Sequence, residues 1–480
     1  MNSIGKNYLY NSIYQILNIF LPLLTAPYVA RVLGAENVGI YSYTYSIANY
    51  FVIFAMLGIA NYGSRSCARA RNSKESLSKT FFSIYALQGT LGGFLAVAYI
   101  LVAVLGLKNP FFLYQIPMVL SGFLDISWFF SGIEKFKLIV NRNIVVRLVS
   151  AALVFLFVKK ENDLWIYILI LSLSTMIGQI LLWFEVRKYV FYYRPTFQDV
   201  KPHIVPNLTL FLPVIAVNLY KYMDKIMLGA MAMVEQVGLY EYAEKLTILP
   251  LGLINSLGNV MLPRMSNLVA ANDEKDAEHL TKKSMHFVVF LSSAMCFGLC
   301  GVADKLIPFL FGEEYNPSIS ILYYLAPSMM FVSWANVVRT QYLIPREKDR
   351  EYIISVFCGA GVNLLVNATL IPTYGGVGAA IGTLVAEITV CAIQSFMVWK
   401  PMNLDILFRD VTPYIGISMI MCYIVRLIGE LSDNSWIVLA QIGAGIAIEC
   451  ICASIYAVRK KVLSIEQVES VVEKMSKKNR

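Results

Sequence analysis

Eight basic side chains stand inside stretches otherwise apolar enough to cross a lipid bilayer: Arg142, Arg147, Lys221, Lys225, Lys245, Lys305, Arg339 and Arg426. At roughly 3 kcal/mol for each charge at the bilayer centre, exposing them all to lipid would cost about 20 kcal/mol, more than an inserted chain could bear. Some must reach the headgroups along their aliphatic stems. The rest must face one another or a water-filled cavity, where fixed cations hold an anionic cargo.

Spacing sorts the eight. Lys305 and Arg426 lie near the outer ends of their stretches and read as snorkelling; Arg142 reads either as an inward snorkel or as a cavity cation. Lys221 and Lys225 share a helix with Asp224, and Lys245 shares one with Glu241 and Glu244. The i, i+3 and i, i+4 spacings allow Lys221 to pair with Asp224 and Glu241 with Lys245. Such pairs form a compensated packing network or a switch whose partners exchange during transport. Arg147 and Arg339 have no obvious acidic partner nearby in sequence, which makes them the preferred anion contacts. Glu387 and Glu449 are isolated intramembrane acids; Glu387 either titrates with a proton or sodium ion or pairs with Arg339. Asp125, Asp224, Glu241 and Glu244 are further candidates for ion coupling or switching.

Other chemistry is excluded by pattern. There is no Walker A sequence, and His203, His279 and His286 form no H-E-x-x-H, so neither a nucleotide, a metal nor a cofactor is expected. Gly378 and Gly382 sit in a run that continues into an apolar helix and read as a helix-packing face. The eight cysteines read as packing residues without a disulfide framework.

The elements that must position these residues are helices spanning a membrane. The 480 residues are 58% hydrophobic and only 15% charged, where soluble domains carry about 25%. Reading for apolar runs gives about fourteen spans, starting near residues 8, 38, 80, 109, 138, 164, 205, 236, 285, 318, 351, 377, 411 and 436. With both termini inside, Lys and Arg concentrate on the inner connections, so the net charge of +9 is topological and nucleic acid is not a partner. The first apolar run reads as an uncleaved span. Outer connections are short, and Ser464 to Lys478 reads as an amphipathic helix on the inner face.

Two echoes point to a duplication. Val38-Gly39-Ile40-Tyr41 returns as Val237-Gly238-Leu239-Tyr240, and Ser127-Trp128 returns as Ser333-Trp334, each about 200 residues on. The expected chain is all-α and polytopic, two parallel six-helix repeats plus two C-terminal helices. Its boundaries are a first lobe over 1–190, an inner linker over 191–204, a second lobe over 205–400, two added helices over 401–458 and a basic tail over 459–480. Transporters with such repeats bind substrate near the midplane at the repeat interface.

Several motifs resemble bacterial polysaccharide-biosynthesis flippases. They are Arg31-Val32-Leu33-Gly34 with Val38 to Tyr41, Ser127-Trp128-Phe129 with Gly132 to Lys137 and Arg142-Asn143-Ile144, and Pro372 to Thr383. These are the O-antigen and capsule-unit exporters of the multidrug/oligosaccharidyl-lipid/polysaccharide superfamily. The resemblance implies alternating access, no enzymatic step, and a cationic cavity for a polyprenyl-pyrophosphate-linked oligosaccharide in the bacterial cytoplasmic membrane. It also implies work beside glycosyltransferases and a polysaccharide polymerase. Two alternatives stand. A cation-coupled drug antiporter of the same superfamily would favour exposed acids in its cavity. A membrane glycosyltransferase or polymerase would show a sizeable outer loop.

Overall fold

Among the described residues the regular backbone is all helical and no strand is present, the solution that lets a lipid-immersed chain satisfy its own N–H and C=O groups. The computed structural model describes residues 3–106, 109–432 and 434–459; the amphipathic tail over 464–478 lies outside them. Among the described residues eleven stretches are long and apolar enough to cross a membrane, and the chain is a multi-pass membrane protein. The expected number is about fourteen. Part of the difference comes from stretches that join two helices across a glycine, at Gly34 (φ 75°) and Gly375 (φ 52°), where the backbone leaves helical geometry just before the expected starts at 38 and 377.

The chain divides into two compact units, Met1–Glu241 and Tyr242–Arg480. The sequence places the boundary earlier, at the linker 191–204. In the first unit the helices are α1 (Ser3–Met56), α2 (Ile59–Ala70), α3 (Lys74–Leu101), α4 (Phe111–Tyr114), α5 (Ile116–Leu124), α6 (Ser127–Gly132), α7 (Phe136–Phe157), α8 (Leu164–Val186) and α9 (Phe197–Met231). The division shifts because α9 packs on α1, α2 and α3. Its core is aromatic: Phe81, Trp128, Phe129 and Phe130 are buried, with Trp183 against them. Gln88 in that core carries out the polar accounting. It accepts the Trp128 indole N–H at 3.0 Å and donates to the Gly122 and Asp125 carbonyls at 2.9 and 2.8 Å, which the break between α5 and α6 would leave unpaired.

The helix α10 (Val234–Ala270) starts in the first unit and runs on into the second. There follow α11 (Glu274–Phe311), α12 (Ser318–Leu325), α13 (Ser328–Val338), α14 (Asp349–Val398), α15 (Leu404–Glu430) and α16 (Ile437–Arg459). A π-helical turn over Arg339–Leu343 continues α13. In this unit α15 packs on α11 and α16, and α13 packs on α11 and α14. The helix α11 begins eleven residues before the expected start at 285, because hydropathy falls at the headgroups whereas helical hydrogen bonding does not stop there.

The two copies of the Val-Gly-x-Tyr motif meet inside the first unit. A Cβ on Gly39 would lie 2.0 Å from the Val234 carbonyl oxygen, and one on Gly238 would lie 1.9 Å from the Ala35 carbonyl oxygen. Residues 35 and 39 stand to residues 234 and 238 as counterparts in the two repeats, so the crossing is reciprocal. Only hydrogen fits at either position.

Candidate functional site

The charged residues of α9 and α10 come together because the two helices are joined by a turn at Ala232 and Met233 and run back along each other. Lys225 and Glu241 sit about eight residues to either side of that turn, close to 12 Å along each helix. Their side chains meet at 2.6 Å and are 11% and 12% exposed. One residue earlier on each helix, the Tyr240 hydroxyl donates to Asp224 Oδ2 at 2.9 Å. The sequence expectation pairs Lys221 with Asp224 and Glu241 with Lys245 within single helices. The contacts of Lys225 with Glu241 and of Asp224 with Tyr240 run between the helices, since a tight turn brings equidistant positions face to face.

Tyrosines surround this pair. Tyr45 lies within electrostatic range of Lys225, Glu241 and Arg147, and Tyr50 within range of Asp224. The Tyr222 ring stands 6.4 Å from Tyr45 and 6.1 Å from Tyr50, and Tyr41 meets Tyr167 edge-on at 4.9 Å. Lys221 Nζ lies 5.6 Å over the Tyr222 ring. The result is a set from α1, α7, α8, α9 and the start of α10 that combines phenol rings, hydroxyls, three cations (Arg147, Lys221, Lys225) and two acids (Asp224, Glu241). The tyrosines were not singled out from the sequence. The available signal was the i, i+4 spacing of Tyr41 and Tyr45 on one helix face.

Arg142 is placed differently from an inward snorkel. It donates to Gln179 Oε1 at 2.5 Å, to Asn143 Oδ1 at 2.7 Å from Nη2, to the Gly178 carbonyl at 3.3 Å and to Ser127 Oγ at 3.4 Å. It therefore ties α6, α7 and α8 together. Asp125 caps α6, accepting the Ser127 N–H at 2.8 Å. Arg147, five residues on from Arg142, is exposed.

In the second unit Arg339 opens the π-helical turn. Its guanidinium lies 5.5 Å over the Tyr352 ring and donates to the Tyr352 hydroxyl at 3.4 Å. Tyr352 thus takes the place expected for Glu387, which is 8% exposed on α14. One turn before Arg339, Asn336 Nδ2 donates to Asn255 Oδ1 at 2.8 Å. Lys245 Nζ lies 4.4 Å over the Tyr242 ring, and Glu244 is half-buried beside it in sequence. Arg426 is exposed, with its guanidinium 5.0 Å over the Tyr323 ring.

Residues 4–269 match the family described as "Polysaccharide biosynthesis protein". The chain belongs to that family. Among its relatives is the putative O-antigen transporter of Escherichia coli (strain K12), 25% identical over 404 residues that cover 82% of this chain and 96% of that protein. The fold is that of the lipid II flippase MurJ in its inward closed conformation, with a TM-score of 0.75 at 17% identity over 95% of this chain and 99% of that one. The Vibrio cholerae MATE transporter VcmN gives a TM-score of 0.53 at 14% identity over 85% and 98%. The family resemblance read from the motifs at Arg31, Ser127 and Pro372 is therefore correct.

Proposed function

We propose that this protein is a flippase that carries polyprenyl-pyrophosphate-linked oligosaccharide units across the bacterial cytoplasmic membrane by alternating access. The observation that carries the reading is the tyrosine-walled set in the first unit, in which Arg147, Lys221 and Lys225 outnumber Asp224 and Glu241. Phosphate oxygens are bound by cationic donors in charge-assisted hydrogen bonds. Tyrosine offers an apolar face for a sugar ring and a hydroxyl for its polar edge. The family match and the full-length similarity to a protein named as an O-antigen transporter support the same cargo class.

The Lys225–Glu241 pair gives Lys225 a partner while the site is empty of cargo. An arriving pyrophosphate competes with Glu241 for Lys225, and its departure lets the pair close again. Arg147 supplies the first contact and Arg339 a second cation for the cargo. Glu387 is the residue for coupling to a proton or sodium gradient. No bond in the cargo is made or broken; glycosyltransferases supply the unit and a polymerase consumes it.

The test is export of the lipid-linked unit in cells lacking their own transporter of this kind. The double variant Arg147→Ala/Arg339→Ala loses surface glycan while its level in the membrane is unchanged. Each single Arg→Ala change weakens cargo binding about 10- to 100-fold, the worth of one charge-assisted contact to phosphate. Normal surface glycan in the double variant overturns the assignment.

A further inference from the structure

Glu449 on α16 belongs to none of the clusters above. It is 3% exposed, and its Oε1 lies 2.8 Å from Ser418 Oγ on α15. Ser418 Oγ is also 2.9 Å from the Tyr414 carbonyl and 3.0 Å from Ser293 Oγ on α11, and Ser293 Oγ is 3.1 Å from the Phe290 carbonyl. Those four links contain only two hydroxyl protons. Carbonyl oxygens only accept, and so does an ionised carboxylate. A proton on Glu449 lets the carboxyl donate to Ser418, which frees the Ser418 proton for the Tyr414 carbonyl and the Ser293 proton for the Phe290 carbonyl.

The second carboxyl oxygen, Oε2, is buried without a hydrogen-bond partner. Glu449 lines a cavity of about 440 Å³ whose other walls include Phe290, Leu291, Met295, Met421 and Ile446. The remaining polar groups there are Gln441, whose Nε2 donates to the Val425 carbonyl at 2.9 Å, and the thiol of Cys450. Among the described residues no cationic side chain from α10, α11, α15 or α16 lines it. Ile446 and Cys450 at its rim are exposed, on a helix apolar enough to cross the membrane. A carboxylate facing so apolar a space meets no counter-charge from its lining, so it takes up a proton instead.

We propose that Glu449 is a proton-binding carboxyl, neutral in this structure and reached from the apolar phase of the bilayer through the cavity it lines. Loss of the proton places a charge that the surrounding side chains do not compensate, so proton occupancy is tied to the packing of α16 on α11 and α15. This site is separate from the cargo residues and stands whether or not they bind a pyrophosphate.

The experiment uses the full-length protein in phospholipid vesicles and the apolar reagent dicyclohexylcarbodiimide. The carboxyl proton passes to one carbodiimide nitrogen as the carboxyl oxygen bonds to the central carbon. An acyl shift to nitrogen then leaves a stable N-acylurea, one reagent added and nothing released. Mass spectrometry is expected to find the adduct on Glu449, formed more than about ten-fold faster than with a water-soluble carbodiimide, because only the apolar reagent partitions to the cavity. Labelling falls about ten-fold for each pH unit above the carboxyl's own pKa. The adduct disappears in Glu449→Gln and persists in Ser418→Ala, which keeps the carboxyl if the first variant does not fold. No adduct at Glu449, or equal labelling by the water-soluble reagent, overturns the proposal. So does protection by sodium at fixed pH, which would make this a metal-cation site.

Discussion

Trp128 and Trp334 each follow a serine at corresponding places in the two repeats, and both indoles donate a hydrogen bond. Trp128 donates to Gln88 from within a ring of Phe81 and Phe129, where a Cβ on Gly63 would come within 2.4 Å of it. Trp334 donates to Ser395 at 2.9 Å and stays half-buried, lining an apolar cavity of about 210 Å³ with Trp399 and Phe408. The Val-Gly-x-Tyr copies diverge in a similar way: Tyr41 stacks edge-on against Tyr167, whereas Tyr240 holds Asp224. The residue after each tyrosine is Ser42 in one copy and Glu241 in the other. A duplicated backbone therefore sets where side chains go, and single neighbours decide whether the place becomes core, cavity wall or charge site.

Four measurements would break or sharpen that contrast. The largest difference is expected at the tryptophans: Trp128→Ala should cost about 4 kcal/mol and Trp334→Ala about half as much, read from melting in detergent. Equal losses would mean that the two repeats use the residue alike. Next, Glu241→Ala leaves Lys225 buried without its carboxylate and should cost about 3 kcal/mol. The double change Lys225→Met/Glu241→Leu should recover most of it while abolishing transport. A double variant as unstable as the single one would show that the pair is not the unit of stabilisation. Gly39→Ala and Gly238→Ala should each cost about 2 kcal/mol and match one another, because their close contacts are reciprocal. A clear inequality would dismiss the pseudo-symmetric crossing.

The smallest effect concerns the segment ahead of the apolar part of α9, the linker expected over 191–204. Lys79 pairs with Asp199 at 2.8 Å, and Thr196 and Tyr193 donate to the same carboxylate. The Lys79 contact first, then those donors, hold the Asp199 carboxyl well below the usual carboxylate range. A depressed pKa makes the strap intact above about pH 4 and progressively released as pH falls below it. Proteolysis of the linker should therefore accelerate in acid, and Asp199→Asn should show the faster cleavage already at neutral pH. Unchanged cleavage in that variant would remove the strap.

Much of this arrangement was legible in the amino-acid order, for definite reasons. Apolar runs report where helices meet lipid, so the helices near 138, 164, 318, 351 and 436 start close to their expected positions. Motif spacing reports repeats, so the Gly39 and Gly238 copies were visible. That they touch each other was not, since contact between distant segments leaves no local pattern. The Lys225–Glu241 contact was hidden for a similar reason: i, i+4 arithmetic sees one helix, and Lys225 meets Glu241 on the next. The tie that Arg142 makes across α6, α7 and α8 was hidden because its acceptors, Gln179 and Asn143, are neutral and carry no charge signal. Polar residues beside Gly34 and a proline before Gly375 marked the breaks there, and the expected starts at 38 and 377 fall just after them.

The tight turn between α9 and α10 also bears on how the chain enters the membrane. Lys225 and Asp224 would each oppose insertion of α9 as a solitary helix. Their partners Glu241 and Tyr240 leave the ribosome only 16 residues later in the chain, a delay of about one to three seconds at ordinary synthesis rates. A hairpin that neutralises its own charges during that interval can pass into lipid as one unit. The order of biosynthesis, and not only the finished packing, then favours pairing across the turn.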